Sequence, residues 1–288
     1  ETRRGGSGVA KSGLHQVALA LGGGVLRSAR NALQRSPDPL HRFEQWLELE
    51  DRIDTRSTLF VPPETSGERH ISDPVFRYDD RIRFEGRRQP FGEVLRTIAD
   101  RGWEIGLHPT WYAFDDAAEL RRQKHELETV VGQEIESVRQ HWLHYDVERT
   151  PRAQEEAGFA YDSTIGVTGN VGFQRGTAYP WRLHDLERDE RLNLLEIPLV
   201  AQDTGLFDTT YLDLDEELAV AYLETLADRV AEVGGVLTLN WHPDLTLAED
   251  RWNAWERTLE TLEDRGAWFG TVAEIGEYWS ENYGDLRQ

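Results

Sequence analysis

The sequence contains no cysteine and no methionine, and only two of its 32 basic residues are lysines. Without cysteine there can be no disulfide, zinc finger or thiol catalysis, so any metal must be bound by His, Asp, Glu or Tyr. Because translation starts at methionine, we expect that Glu1 is not the natural first residue. The longest apolar run, at 17–26, is interrupted by three glycines and is too short for a membrane helix. No signal peptide is visible, so we expect a cytoplasmic protein.

Basic residues are also few relative to acidic ones. The 53 Asp and Glu residues against 32 Lys and Arg give a formal net charge of −21. A general nucleic-acid binder needs a basic face, and anionic membranes attract basic segments, so neither partner is expected. Such an acidic, lysine-poor chain is typical of salt-accumulating microbes. A GC-rich genome also favours arginine over lysine, and the net charge does not separate these two origins.

Short apolar strands alternate with helices along most of the chain. The patterns predict strands at 57–61, 103–107, 137–139, 159–161, 194–197, 236–240 and 267–269. They predict helices at 39–52, 91–100, 115–131, 150–156, 215–233, 250–264 and 271–283. This alternation indicates an α/β fold with a parallel sheet covered by helices. We predict one distorted (β/α) barrel of seven or eight units over residues 39–288, preceded by an irregular or helical segment at 1–38.

Side chains that can bind metals or transfer protons stand at the ends of four predicted strands. These residues are His108, Arg139, His141, Asp162 and His242. Each alone is more often structural: a hydrogen-bonded histidine, an ion-paired arginine or a turn-capping aspartate. Together they indicate a site, because reactive groups of such barrels collect at the carboxyl ends of the strands.

The segments around these residues resemble the motifs of NodB-type polysaccharide deacetylases. Residues 101–112 (RGWEIGLHPTWY) look like the second motif, a strand that ends in a metal-binding histidine. Residues 137–142 (SVRQHW) are similar to the third motif, which shapes one wall of the groove. Residues 158–164 (GFAYDST) resemble a strand with an orienting aspartate, and 237–244 (LTLNWHPD) resemble the fifth motif, which carries the acid histidine. The resemblance covers about residues 40–275.

This resemblance implies a metal-dependent hydrolase that removes acetyl groups from a carbohydrate, cleaving amide but not peptide bonds. It implies a divalent metal on His108, best Zn²⁺ or another first-row ion, and His242 as the general acid. Asp162 and Arg139 would orient the catalytic groups. Aromatic rings stack on sugar faces, and five near the predicted rim are candidate substrate-binding residues: Trp111, Tyr112, Trp142, Tyr179 and Trp181.

The chain departs from the family pattern at three places. The second histidine of motif two is replaced by Tyr112, and the proline of motif three by His141, so we infer that His141 supplies the second imidazole. The opening motif, with the aspartates for the general base and a metal ligand, has no match in 1–38. We expect that first strand to lie upstream of Glu1; a degenerate, inactive member is the alternative.

Two other functions are compatible with the same barrel. One is a glycoside hydrolase that uses paired carboxylates such as Glu104, Asp162 or Glu196. Two of these, Glu104 and Glu196, lie within predicted strands rather than just past them, which counts against this function. The other is a barrel that binds carbohydrate without catalysis.

Overall fold

The architecture is that of a computed structural model, which describes residues 41–64, 69–243 and 245–283. Its helices are α1 (His41–Arg52), α2 (Phe91–Asp100), α3 (Ala117–Val131), α4 (Thr150–Ala157), α5 (Asp203–Phe207), α6 (Glu216–Val233), α7 (Glu249–Asp264) and α8 (Val272–Tyr283). Its strands are β1 (Thr58–Val61), β2 (Arg81–Phe84), β3 (Arg87–Pro90), β4 (Glu104–Leu107), β5 (Ser137–Val138), β6 (Tyr161–Asp162), β7 (Trp181–Asp185), β8 (Glu190–Glu196), β9 (Leu199–Gln202) and β10 (Thr238–Asn240). The segment predicted at 1–38 lies outside the described residues.

The central sheet is mostly parallel and has the strand order β1-β4-β5-β6-β8-β7. All neighbours in it are parallel except β7, which runs antiparallel to β8. A separate parallel pair joins β9 to β10, and β2 and β3 form an antiparallel hairpin. This confirms the predicted α/β fold. The closed barrel is not confirmed, because β1 and β10 are edge strands within the described chain.

Most predicted elements are present, and the exceptions have local causes. The strand predicted at 267–269 is wrong: these residues are irregular. The chain leaves α7 through Gly266, with φ of 75°, and Trp268 packs on the surface against Tyr278. The hairpin of β2 and β3, and strands β7 and β9, were not predicted. Arginines supply four of the eight hairpin positions, and the only apolar alternation, Ile82 and Phe84 in β2, is too short to predict a strand.

The helices cover the sheet with apolar faces, and three of those described end at glycines. In α2, Val94, Leu95 and Ile98 are at most 1% exposed. The predicted stops after α3, α4 and α6 are confirmed, because Gly132, Gly158 and Gly234 have φ of 73–89°, where a side chain would be strained. None of the described helices is long and apolar enough to cross a membrane.

Candidate active site

The strand ends bring four predicted residues into one cavity. His108 follows β4, Arg139 follows β5, His141 lies two residues further, and His242 lies two residues past β10. All four line a cavity of about 110 Å³, which we call the histidine cleft. Parallel strands place their carboxyl ends on the same edge, which explains why residues 134 positions apart in sequence meet here.

Two imidazoles face each other in this cleft. Nε2 of His108 lies 3.0 Å from Nδ1 of His141. The other ring nitrogens contact backbone carbonyls: Nδ1 of His108 lies 2.7 Å from the oxygen of Arg139, and Nε2 of His141 lies 3.2 Å from that of Ser72. A carbonyl oxygen only accepts, so each of these outer nitrogens carries the proton. In the neutral rings, the two facing nitrogens are therefore both lone-pair acceptors, an arrangement that needs a proton or a cation between them.

Both rings are held in the neutral form. Burial lowers the pKa of His108 well below its ordinary value, and the neighbouring His141 lowers it further. Burial also lowers the pKa of His141, although the carboxylate of Asp73 opposes this. Neutral imidazole is the form that binds metals. Among the described residues there is no group of three or more His, Cys, Asp or Glu side chains placed to hold a metal.

Asp73, a buried carboxylate that the sequence patterns did not indicate, lies beside His141 on the side away from His108. The side chain is 2% exposed, and its Oδ1 lies 3.9 Å from Nε2 of His141. Its oxygens accept hydrogen bonds from the backbone N–H groups of Trp111 and His70 at 2.9 and 2.7 Å. Asp73 therefore fixes the loop whose Ser72 carbonyl orients His141.

His242 is oriented by a second missed carboxylate, Asp203 at the start of α5. Nδ1 of His242 lies 2.6 Å from Oδ1 of Asp203, and the backbone N–H of His242 donates to Oδ2 at 2.6 Å. The Asp203 side chain is fully buried. A carboxylate on Nδ1 holds the proton there and makes Nε2 the basic nitrogen, as in other histidine–carboxylate pairs.

The predicted orienting aspartate, Asp162, lies elsewhere. It is fully buried, accepts a hydrogen bond from the hydroxyl of Thr164, and neighbours Glu196 rather than His242. No hydrogen bond in the described chain joins Asp162 to His242, so no direct contact supports the expectation that Asp162 orients this histidine. The carboxylate on His242 is that of Asp203.

Arg139 spans the interior between four strands. Its Nε and Nη2 donate to the carbonyl and hydroxyl oxygens of Ser163, both at 2.8 Å, and Nη1 donates to Oδ1 of Asn240 at 2.9 Å. The guanidinium also lies 4.4 Å from the ring centre of Phe60 on β1. Burial lowers its pKa to about 10, against the attraction of Asp162, Glu196 and Glu104, so it stays charged at neutral pH.

The predicted aromatic residues separate into two groups. Trp142 lines the histidine cleft, in a left-handed conformation with φ of 57°, and Trp111 stacks between His70 and His144 beside it, at 4.6 and 4.1 Å. Tyr112 is half exposed next to His70. The structure does not bring Tyr179 and Trp181 to the cleft, because both line another cavity of about 540 Å³ against α8. In their place Tyr211, which sequence reasoning missed, lines the cleft.

A second cavity, the β1–β10 slot, runs between the outer edges of those two strands. It encloses about 120 Å³, with Glu50 and Ser57 at one end and His108 and His242 at the other. No strand in the described part of the chain pairs with either facing edge. Its walls are lined mainly by apolar side chains: Phe43, Trp46, Leu47, Leu59, Phe60, Leu239, Trp241 and Trp255. The slot therefore has the direction of a strand and opens onto the histidines.

The carboxylates considered for glycoside hydrolysis do not line either cavity near the histidines. Oε2 of Glu104 accepts from the Thr58 hydroxyl and from the backbone N–H of Ala273, at 2.5 and 3.0 Å, and thereby holds the start of α8. Glu196 is fully buried. Neither side chain is placed to reach a sugar in the cleft.

Solved structures of hydrolases share this fold. The chain is similar to a protein described as a polysaccharide deacetylase from Mycobacterium smegmatis, with a TM-score of 0.62, 21% identity, and 91% of this chain and 86% of that chain covered. It is similar to the allantoinase Puue, with a TM-score of 0.59, 17% identity and 97% and 79% covered. It is also similar to a protein described as a polysaccharide deacetylase from Pseudomonas aeruginosa, with a TM-score of 0.56, 18% identity, and 98% of this chain and 80% of that chain covered. No family model and no curated protein matches the sequence. The fold expected from the motifs is confirmed; at these identities the chemistry must be argued from the residues.

Proposed function

We propose that this protein is a metal-dependent hydrolase that removes acyl groups, acetyl above all, from a carbohydrate. The observation that carries the proposal is the pair of imidazoles whose facing nitrogens lie 3.0 Å apart, each ring with a backbone carbonyl on its other nitrogen. This is how metal-binding histidines are oriented in proteins. The names of two structures with this fold, polysaccharide deacetylases, support the choice of substrate class.

His108 and His141 would hold the metal. Two imidazoles without any thiolate suit Zn²⁺ or a related first-row ion. Such an ion, when bound, lowers the pKa of water and polarises an acyl carbonyl. A third ligand is needed, and we propose that a carboxylate supplies it from an extended segment in the β1–β10 slot. The support for this step is that the slot ends at His108 and carries unpaired strand edges within the described chain.

His242 would protonate the leaving nitrogen or oxygen. Its Nδ1 proton is held by Asp203, so Nε2 is the nitrogen that takes up and delivers a proton. Asp203 also stabilises the charged ring that exists before the proton is given away. Arg139 lines both the cleft and the slot and would orient groups between them, while Trp142 would contact a sugar ring.

The metal site is tested by titrating Zn²⁺ and Co²⁺ into the metal-stripped protein, followed by calorimetry and cobalt absorption. We expect His108→Ala and His141→Ala each to weaken binding at least about tenfold. His125→Ala is the matched control, because this histidine is exposed on α3 and 81% of its side chain is accessible. Equal metal affinity in all four proteins would contradict the proposed site.

Activity is tested on acetylated oligosaccharides with and without chelator. We expect acetate release that chelator abolishes and Zn²⁺ restores. Glycosidic cleavage that persists in chelator would instead support the glycoside hydrolase. Sugar binding that is equal with and without metal, with no turnover, would support the non-catalytic barrel.

A further inference from the structure

Two carboxylates lie side by side in the interior near Arg139. Asp162 and Glu196 are register partners on the parallel strands β6 and β8, and both side chains are 0% exposed. Register partners in a sheet lie about 5 Å apart and point to the same face. The two carboxyl groups therefore share one buried environment.

Each carboxyl group has one satisfied oxygen and one orphan. Oδ1 of Asp162 accepts from the Thr164 hydroxyl, and Oε1 of Glu196 accepts from the backbone N–H of Ile165 at 2.8 Å. Oδ2 of Asp162 and Oε2 of Glu196 are buried and have no hydrogen bond of good geometry within the described chain, although the buried side-chain amide of Gln154 lies beside Asp162. Two orphan acceptors on adjacent groups are what a single shared proton would satisfy.

The charges around the pair also favour one negative charge over two. All three acceptors of Arg139 are neutral oxygens, of Ser163 and Asn240, so its charge is balanced only through space. The titratable groups that interact with the pair are Arg139 and Tyr145; Glu104 interacts with Arg139, and Arg175 with Tyr145. Burial raises the pKa of both carboxyl groups, and the neighbouring Asp162 raises that of Glu196 further.

We propose that Asp162 and Glu196 share one proton between Oδ2 and Oε2, and that this singly charged pair is the counter-charge that positions Arg139 at the cleft. Hydrogen bonds link the pair to the site, because the Thr164 hydroxyl that donates to Asp162 accepts from the backbone N–H of Gln140 at 3.0 Å. Gln140 stands between Arg139 and His141. The role of the pair in positioning these residues for catalysis rests on the proposed function; the shared proton does not.

The shared proton is tested by difference infrared spectroscopy at pH 7 in proteins that all carry Glu50→Gln, because burial raises the pKa of Glu50 to about 7 and its carboxylic acid would add a band of its own. We expect the protein with the pair intact to show the C=O stretch of a buried carboxylic acid, and further substitution by Glu196→Gln or Asp162→Asn to remove it. Asp185→Asn is the matched control: Asp185 is 1% exposed and its Oδ2 also accepts no hydrogen bond in the described chain, but Arg152 and Arg188 lie 3.8 Å from that oxygen. In the Glu50→Gln background, a spectrum of the intact pair without this band, or a band that survives both further substitutions, would overturn the proposal.

The counter-charge is tested on the Arg139 Nε–H signal by NMR. Glu196→Gln leaves Asp162 ionised beside an amide donor, so we expect the slow exchange of this N–H to be kept. The double variant Asp162→Asn, Glu196→Gln leaves no charge, and we expect exchange at least about tenfold faster. Unchanged exchange in the double variant would refute the counter-charge. If the double variant does not fold, Asp162→Asn replaces it, because it leaves Glu196 as the one ionised carboxylate: slow exchange as in Glu196→Gln supports the proposal, and exchange at least about tenfold faster contradicts it.

None of these spectra requires turnover. If they fail while acetate is still released, the pair is wrong and the proposed function stands. If the spectra give the expected results but no acetate is released, the shared proton stands and the proposed function is wrong.

Discussion

At the scale of single residues, His242 is where proton transfer is expected to be concentrated. General acid–base groups contribute about 10²–10⁴-fold to rates. We therefore expect His242→Ala to lower kcat by about 10²–10⁴-fold, measured as acetate release, because the leaving group loses its proton donor. Zn²⁺ affinity should stay at the wild-type value, since His108 and His141 are untouched. A parallel loss of metal binding would show that His242 is a ligand instead.

A substitution at Asp203 distinguishes the orientation of the His242 ring from proton transfer by that ring. Asn at this position keeps the size of the side chain but can present an N–H to Nδ1 of His242, which favours the wrong tautomer. We expect Asp203→Asn to lower kcat nearly as far as His242→Ala with KM little changed. An unchanged kcat in steady-state kinetics would contradict the assigned role.

Glu50 is a buried carboxyl group that makes stability depend on pH. Its oxygens accept from the Trp103 indole N–H at 2.7 Å and from the N–H and hydroxyl of Ser57 at 3.0 and 2.9 Å, yet burial raises its pKa from 4.5 to about 7. The folded protein therefore binds more protons than the unfolded chain between these values, and stability falls as pH rises from about 4.5 to 7.

We expect this loss to amount to about 3 kcal/mol, and Glu50→Gln to remove it. The measurement is urea unfolding at several pH values. Glu48→Gln, on the exposed face of the same helix, should keep the wild-type pH dependence. A Glu50→Gln profile parallel to that of the wild type would contradict the raised pKa.

At the scale of secondary-structure elements, substitution of Gly132 measures how much a left-handed backbone conformation costs in free energy of unfolding. It ends α3 with φ of 82°, and a Cβ built there would meet nothing within 4 Å. Any loss on substitution is therefore strain rather than steric clash. We expect Gly132→Ala to lower the free energy of unfolding by about 1 kcal/mol, and Gly132→Asn by less, because asparagine tolerates the left-handed region. Equal losses by denaturant unfolding would contradict this reason.

The elements also explain which site residues could be predicted. His108 and His242 follow apolar strands that the pattern marks clearly, so their position at the cleft could be predicted; Arg139 follows only the two-residue strand β5. Asp203 was missed because the run around Pro198 contains two strands, β8 and β9, where the sequence pattern indicates one. Asp73 lies in a loop without periodicity, and its contact with His141 spans 68 positions. Tyr179 and Trp181 were misplaced because β7 runs antiparallel to its neighbour, which no local pattern encodes.

At the scale of the whole molecule, the net charge of −21 opposes folding through self-repulsion. Salt screens this repulsion over about 10 Å at 0.1 M. We expect the Tm at pH 7 to rise with NaCl, even though salt weakens surface pairs such as Arg52 with Glu256. The control is the same titration near the isoelectric point of about 4.8, where the rise should disappear. An equal rise at both pH values would indicate a salt effect unrelated to net charge.

The walls of the β1–β10 slot also give the molecule an optical reporter. Trp46, Trp241 and Trp255 all line it, with ring centroids 5.5 Å apart for Trp46 and Trp255 and 4.9 Å for Trp241 and Trp255. Indoles this close couple their electronic transitions, so the near-ultraviolet circular dichroism of the protein carries their mutual geometry. A chain segment that enters the slot changes both this signal and the emission wavelength, and its arrival can be timed without any label.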